Sequence, residues 1–407
     1  MVFSRSGSDL LVTVPATGKV ITISGTFNSA NSDGIQQVQF ADGTTWDRTT
    51  IGTNAWVRGT SGNDNLTLPS NGVTVDAGAG DDRIAVSGTG SDRIVFAMGY
   101  GHDTLGNPGT GYQRDDTLSL DDILSSDVQL TRIGDKLIVS VPATGNYQFY
   151  NGGTSIYGIN TVAFADGTVW DRATIAANAW VRGTSGNDSL TLPADGVTVD
   201  AGAGDDRITV SGSGHDTIVF AMGYGHDTLD NPGTGYQRDD TLSLDDILSS
   251  EVQFTRSGDK LIVSVPATGD TFTVNYQFYN GGTSVYGINT VAFADGTVWD
   301  RATIAANAWV RGTSGNDSLT VPSDGVTVDA GAGDDTITVS GTGRDTIVFA
   351  MGYGHDTLNN PGSGYQRDDT LFLDDILSSD VQFTRSGDKL IVGLPATGDT
   401  FTINYQF

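Results

Sequence analysis

Cysteine is absent from this 407-residue chain. Disulfide stabilisation, thiol chemistry and Cys-ligated zinc are therefore excluded. Glutamate is nearly absent as well: Glu251 is the only one, so 48 of the 49 acidic residues are Asp. Glu is the stronger helix former, whereas Asp favours turns and short-reach coordination of hard cations. No apolar run approaches the ~20 residues of a membrane-spanning helix, so membrane insertion is not expected. The opening Met1-Val2-Phe3-Ser4-Arg5 does not read as a secretory signal peptide. That points to the cytoplasm unless export takes another route or the chain is an excerpt. Only 21 basic residues offset the acids, and a formal net charge of −28 argues against a nucleic-acid partner.

What is abundant is glycine, at 55 residues about twice its usual share of roughly 7%. Hydrophobic residues, at 37%, still suffice for a core. Self-similarity organises them. The string Trp-Val-Arg-Gly-Thr-Ser-Gly-Asn-Asp begins at Trp56, Trp180 and Trp309, so cassettes of 124 and 129 residues follow one another. The five extra residues are Asp270-Thr271-Phe272-Thr273-Val274; in the earlier cassette Ala143-Thr144-Gly145 runs directly into Asn146, and a strand is expected to be missing there. Arg5-Ser6-Gly7 and Arg385-Ser386-Gly387 match Arg256-Ser257-Gly258, as in a window cut from a longer array.

Each cassette has a Gly/Asp-rich part and a part that reads as β-hairpins. The expected division is 1–55 (partial hairpin module), 56–124 (roll), 125–179 (module), 180–248 (roll), 249–308 (module), 309–377 (roll) and 378–407 (partial module). Hairpin strands are expected at Val252–Thr255 and Leu261–Val265, with a turn at Arg256-Ser257-Gly258-Asp259, and at Thr290–Phe293 before the tight-turn dipeptide Asp295-Gly296. Asp300 is placed to N-cap a short helix beginning at Arg301.

The Gly/Asp part is built of nine-residue units such as Gly59-Thr60-Ser61-Gly62-Asn63-Asp64-Asn65-Leu66-Thr67 and Ala77-Gly78-Ala79-Gly80-Asp81-Asp82-Arg83-Ile84-Ala85. Here the sequence resembles the haemolysin-type calcium-binding (RTX) repeat, G-G-x-G-x-D-x-U-x. Thr60 and Ala77 stand where the repeat has glycine, and the later units are stretched. The hairpin part, through Phe293-Ala294-Asp295-Gly296-Thr297-Val298-Trp299-Asp300, resembles the domain that commonly accompanies such repeats. The resemblance implies type I secretion and an extracellular, secreted or cell-surface location.

The residues support a calcium reading on their own terms. Glycine lets the chain turn tightly, Asp supplies a hard oxygen, and turn carbonyls supply others toward the 6–8 that calcium takes. Two units make one coil, so residues 18 apart stack and an ion can sit between consecutive turns. One column is expected to hold Asp64, Asp82 and Asp103, the other Asn71, Asp92 and Asp116. The second cassette repeats them as Asp188, Asp206, Asp227 and Asp195, Asp216, Asp240. The third repeats them as Asp317, Asp335, Asp356 and Asp324, Asp345, Asp369. Turn glycines expected at the metal are Gly62, Gly78 and Gly80, then Gly186, Gly202 and Gly204, then Gly315, Gly331 and Gly333. The shortened turn at Asn71, Asp195 and Asp324 should give the weakest site. Leu66, Val73, Ile84, Ile94, Leu105 and Leu118 should point inward.

Nothing in the chain reads as a catalytic centre. His102, His226 and His355 recur in Gly-His-Asp and His215 sits in a similar turn, but no His-Glu-x-x-His exists. No Gly-x-Ser-x-Gly elbow is present. Paired carboxylates such as Asp121-Asp122 recur with the repeat, unlike a unique active site. The two Trp sets, Trp56/Trp180/Trp309 and Trp46/Trp170/Trp299, are expected to seal module boundaries or fill small cores. Gly-Tyr-Gln-Arg-Asp-Asp at 111–116, 235–240 and 364–369 reads as an Arg–Asp clasp or an exposed loop. The expected fold is all-β: tandem calcium-binding parallel β-rolls (a β-solenoid) alternating with small antiparallel β-hairpin modules, rod-like as a whole. The expected function is non-enzymatic: a structural array with Ca2+ as cofactor and copies of itself or cell-surface components as partners. An adhesin stalk and the folding module of a secreted enzyme are the alternatives.

Overall fold

A computed structural model describes the chain apart from residues 29–33, 69–71, 87–90, 107–114, 134–135, 143–145, 152–158, 193–195, 211–213, 231–238, 280–285, 322–324, 340–343 and 360–367; strand Asn146–Asn151 is described as backbone. The chain forms two compact units, Met1–Val181 and Arg182–Phe407.

Strands of three to five residues dominate because turn signals interrupt every apolar run. Within a strand the side chains alternate, as in Arg83–Val86, where Ile84 and Val86 are buried and Arg83 faces solvent. The coil never reverses inside a roll, so neighbouring rungs pair in parallel. In the first unit one wall stacks Val57–Arg58, Thr74–Asp76, Arg93–Phe96 and Asp116–Leu120, and the facing wall stacks Asn65–Leu68, Arg83–Val86 and Asp103–Gly106. The second unit repeats this arrangement twice. The chain is thus an all-β parallel solenoid with antiparallel hairpins. Val73, Ile84, Ile94, Leu105 and Leu118 lie in the core, with Leu66 half-buried against it.

The hairpins continue the walls of the roll. Gln253–Ser257, Lys260–Val265 and Asp270–Val274 form an antiparallel meander whose last strand pairs in parallel with the roll strand His226–Asp230. Ile288–Phe293 adds a parallel rung to the opposite wall, on Asp240–Leu244. The first meander strand then bridges in parallel to Trp309, where the next coil begins. Asp300 caps helix Arg301–Asn307 by accepting from Thr303 N–H.

The strand expected to be missing from the shorter cassette is replaced. Asn146–Asn151 moves into its place, paired with Lys136–Val141 and with Asp103–Gly106. The deletion draws the downstream Asn-Tyr-Gln-Phe segment into the meander, because an open sheet edge and an open core face must both be closed. In the longer cassettes, Phe272 packs on Phe220 at 5.4 Å between ring centroids and Phe401 on Phe349 at 5.3 Å. Both Phe272 and Phe401 are fully buried. Truncating Phe272 to Ala should destabilise the folded protein by about 3–5 kcal/mol, the usual cost of deleting a buried aromatic. Denaturant unfolding of the calcium-loaded variant, compared with wild type, tests this; a loss below about 1 kcal/mol would mean that the meander contributes little to the core.

Candidate metal centre

The predicted Asp columns form hydrogen-bonded ladders. Asp64 N–H donates to Asp82 Oδ1 (2.8 Å), and Asp82 N–H donates to Asp103 Oδ1 (3.0 Å). The same two rungs recur from Asp188 to Asp206 to Asp227 and from Asp317 to Asp335 to Asp356. On the other column Asp92 N–H donates to Asp116, Asp216 to Asp240 and Asp345 to Asp369, each at 2.9–3.0 Å. At the shortened turn the donors are Val73, Val197 and Val326, to Asp92, Asp216 and Asp345. Asn71, Asp195 and Asp324 themselves lie outside the described residues.

These carboxylates are deeply placed. Asp82, Asp103, Asp116, Asp206, Asp227, Asp240, Asp335 and Asp356 are all at most 2% exposed, while Asp64, Asp188, Asp317 and Asp369 at the ends are half-buried. One oxygen of each of Asp82, Asp206, Asp227, Asp335 and Asp356 is buried without a hydrogen-bond partner. A buried carboxylate oxygen left without a donor is costly. Here the same cost is repeated at equivalent places in all three rolls. Among the described residues no three His, Cys, Asp or Glu side chains converge on one point. A cation at this column would therefore combine carboxylates of successive turns with main-chain carbonyls.

The turn backbone offers those carbonyls. A Cβ at Gly78, whose φ is +87°, would lie 2.1 Å from the carbonyl oxygen of Thr60 one turn earlier, and Gly202 and Gly331 repeat this against Thr184 and Thr313. A Cβ at Gly80 would strike the backbone of Gly62. Only glycine permits turns to stack this closely. Gly62, Gly186 and Gly315 supply the carbonyls that face Gly80, Gly204 and Gly333. Buried, acceptor-rich and all-oxygen, this donor set suits a hard cation such as calcium.

Sequence reading missed a second ladder beside the first. Asp81 N–H donates to the Asn63 side chain and His102 N–H to Asp81, and both rungs recur in the other rolls. The residue before each column Asp already carried the signal. Missed too was a Tyr–Asp–Arg clasp: the hydroxyls of Tyr100, Tyr224 and Tyr353 donate to Asp76, Asp200 and Asp329, which also pair with Arg58, Arg182 and Arg311. Burial and those bonds push the three phenols up to about 12. The Arg114, Arg238 and Arg367 loops lie outside the described residues. Trp46, Trp170 and Trp299 fill small aromatic cores with Phe40, Phe164 and Phe293, while Arg58 and Arg311 lie over Trp56 and Trp309.

Burial raises the Asp82, Asp206 and Asp335 carboxyls and pushes Asp227 and Asp356 up to about 7, against the hydrogen bonds that lower them. Unfolded, an Asp titrates near 3.9. Between these values the folded chain holds more protons than the unfolded one, so calcium-free stability falls as pH rises from about 4 through about 7. Chelated protein should accordingly show more β-structure by far-UV circular dichroism at pH 5 than at pH 8. A signal that is flat, or that rises with pH, would contradict a buried-carboxylate column.

Comparison with known proteins bears on the hairpins. The model of the haemolysin-type calcium binding protein related domain matches residues 9–50, 132–174 and 261–303. Those segments cover the second and third strands of each meander and the first three residues of each capped helix, and the Asp ladders lie outside them. Among solved structures, the extracellular lipase LipA from Serratia marcescens is similar at 16% identity, over 58% of this chain and 42% of that one, with a TM-score of 0.20. The chain thus spans less than half of that lipase's length, and the likeness is too loose to carry the lipase's chemistry across. This chain thus carries three tandem segments that match the haemolysin-type calcium binding protein related domain.

Proposed function

We propose that this chain is an extracellular, non-enzymatic structural protein whose calcium-dependent folding builds a surface or matrix array or filament. The observation that carries the reading is the set of buried carboxylate oxygens without donors, repeated in all three rolls. Its partners would be calcium and copies of itself. The units responding to calcium would be 56–124, 180–248 and 309–377, with 125–179 and 249–308 as the modules between them.

Asp64, Asp82 and Asp103, with carbonyls from the stacked turns, would hold ions along one column. Asp92 and Asp116 would do so along the other, and the remaining predicted positions likewise in the second and third rolls. Bound calcium supplies the positive charge that makes a stack of ionised carboxylates tolerable. The chain's own residues do the rest. The ladder amides fix one oxygen of each Asp, so the other is aimed before any ion arrives. The glycine turns keep the gap narrow, and the apolar strands behind exclude water. Without the ion, a net charge of −28 opposes compaction. With it, binding free energy becomes folding free energy. Extracellular modules commonly bind calcium with Kd near 10⁻⁴–10⁻³ M, which suits a chain loose before export and ordered after it.

Far-UV circular dichroism during calcium titration, with magnesium as control, tests the switch. A cooperative gain of β-structure near millimolar calcium, absent with magnesium, is the expected result. A fold indifferent to chelator would overturn the calcium reading. Asp206→Asn refines it: the amide oxygen still accepts from Asp188 N–H, but the charge is gone. The calcium midpoint should rise by roughly tenfold for this site, while the chelated protein should become more, not less, structured. Electron micrographs in calcium test the array, since only self-assembly yields ordered polymers.

A further inference from the structure

The module at 249–308 meets the third roll along a seam, and a buried cation lies in it. Strand Gln253–Ser257 turns Phe254 and Arg256 onto its buried face. Thr255 bridges in parallel to Trp309, and Arg256 N–H donates to the Trp309 carbonyl (2.8 Å). Arg256 is 6% exposed. Its Nε–H donates to the Gly258 carbonyl (3.2 Å), and its guanidinium lies 4.5 Å from the centre of the Phe278 ring. A carbonyl and an aromatic face orient a guanidinium but do not neutralise it, and burying a charge is costly unless a counter-charge is at hand.

A counter-charge lies across the seam. Trp309 leads into Val310–Arg311, the first rung of one wall of the roll; Thr327–Asp329 is the second rung and Thr346–Phe349 the third. Asp345 stands just before the third rung and reaches back to accept Val326 N–H from the second (3.0 Å). It is 1% exposed, and its own N–H donates to Asp369 (3.0 Å). Arg256 is thus at the foot of the Asp345–Asp369 column, about two rungs from the Asp345 carboxylate. Burial lowers the Arg256 pKa, and the charges of Asp259 and then Asp345 act against that. Asp259 is exposed to solvent, which leaves Asp345 as the buried member of the pair. The first roll repeats the arrangement. Arg5 N–H donates to the Trp56 carbonyl (2.9 Å), its Nε–H donates to Gly7 (3.0 Å), and its guanidinium lies over Phe27 at 4.3 Å. Val57–Arg58 then opens the wall whose Asp92 accepts from Val73.

We propose that Arg256 is a fixed counter-cation for the second Asp column of the third roll, placed by the preceding module so that the foot of the column faces positive charge before any calcium binds. Arg5 has the same role toward Asp92 and Asp116. A module and the roll that follows it are then one electrostatic unit, and the module does more than space the rolls. The inference rests on the calcium reading above and adds the place in the column where an ion can be dispensed with.

Hydrogen exchange of the full-length chain, read on peptides covering Thr346–Phe349, is the test, with Thr217–Phe220 of the second roll as internal control. In Arg256→Met, which keeps the length and apolar contact of the side chain, exchange at Thr346–Phe349 in chelator should speed by at least about tenfold, the scale of one unit charge acting across two buried rungs. In saturating calcium the change should stay below about threefold, because the ions supply the lost charge. Arg256→Lys keeps the charge and should restore most of the protection. An Arg that only packs would cost Arg256→Met the same protection with and without calcium, and that equal loss would overturn the proposal. A chelated wild type with no protection at Thr346–Phe349 would overturn it too. A wild type equally protected in chelator and in calcium in every roll would instead overturn the calcium reading itself.

Discussion

The structure depends on a stack of Asp carboxylates held one β-rung apart, each accepting a main-chain N–H from the turn before it, of an Asp or, at Asp92, Asp216 and Asp345, of a Val. Rungs about 4.8 Å apart bring like charges near enough to repel by roughly 3–4 kcal/mol at an effective dielectric of 20. The ladder amides satisfy one oxygen, and at Asp82, Asp206 and Asp335 the other is buried without a donor. Every other feature serves that geometry. Glycines at Gly78 and Gly80 let the turns approach, and strands of four residues return the chain to the column. Parallel pairing keeps register, so that Asp82 lies over Asp64 rather than one residue aside. A stack like this either stays protonated, which burial favours, or gains a cation.

Much of this could be read from the sequence because it is periodic. Spacings of 18, 21 and 24 residues placed Asp64, Asp82 and Asp103 in one ladder and Asp92 with Asp116 in another. Local chemistry was equally legible: Asp300 caps its helix, and Gly258, with φ of +61°, turns the hairpin between Arg256 and Asp259. Strand partnership was not legible. Alternating apolar residues identify Asp270–Val274 and Ile288–Phe293 as strands, but not that each extends a different wall of the roll. Which edge a strand joins depends on contacts tens of residues away. The fate of the five-residue deletion was hidden for the same reason, since Asn146–Asn151 reads as loop in one cassette and serves as strand in the other.

That deletion also shows how the ladder ends. In the longer cassettes the meander delivers Asp270 and Asp399 to the last turn of the column. Asp270 accepts from Gly223 N–H (2.6 Å), Gly225 N–H (3.2 Å) and the Thr268 hydroxyl (2.6 Å). Asp399 accepts likewise from Gly352 N–H and the Thr397 hydroxyl. Burial opposes the charge on both, yet these bonds hold the two carboxyls below the usual range. Asp227, two residues beyond Gly225, is pushed the other way. Two neighbouring carboxylates thus separate by environment: the one with both oxygens bonded stays ionised, and the one with a bare oxygen resists ionisation.

The contrast is one of hydrogen-bond donors. Hydrogen-bond donors suffice to hold a buried carboxylate ionised, as the Thr268 hydroxyl and the Gly223 and Gly225 amides do for Asp270. The ladder gives Asp82, Asp206 and Asp335 one amide each and leaves their other carboxylate oxygen buried without a donor. In the shorter cassette the position of Asp270 is taken by Asn146, since both face the last residue of the preceding strand, Val265 and Val141. The three rolls share their interior ladders rung for rung and differ in how the last turn is closed. The interior Asp82, Asp206 and Asp335 keep an oxygen without a donor, whereas the terminal carboxylates Asp270 and Asp399 are acceptors already satisfied by the fold.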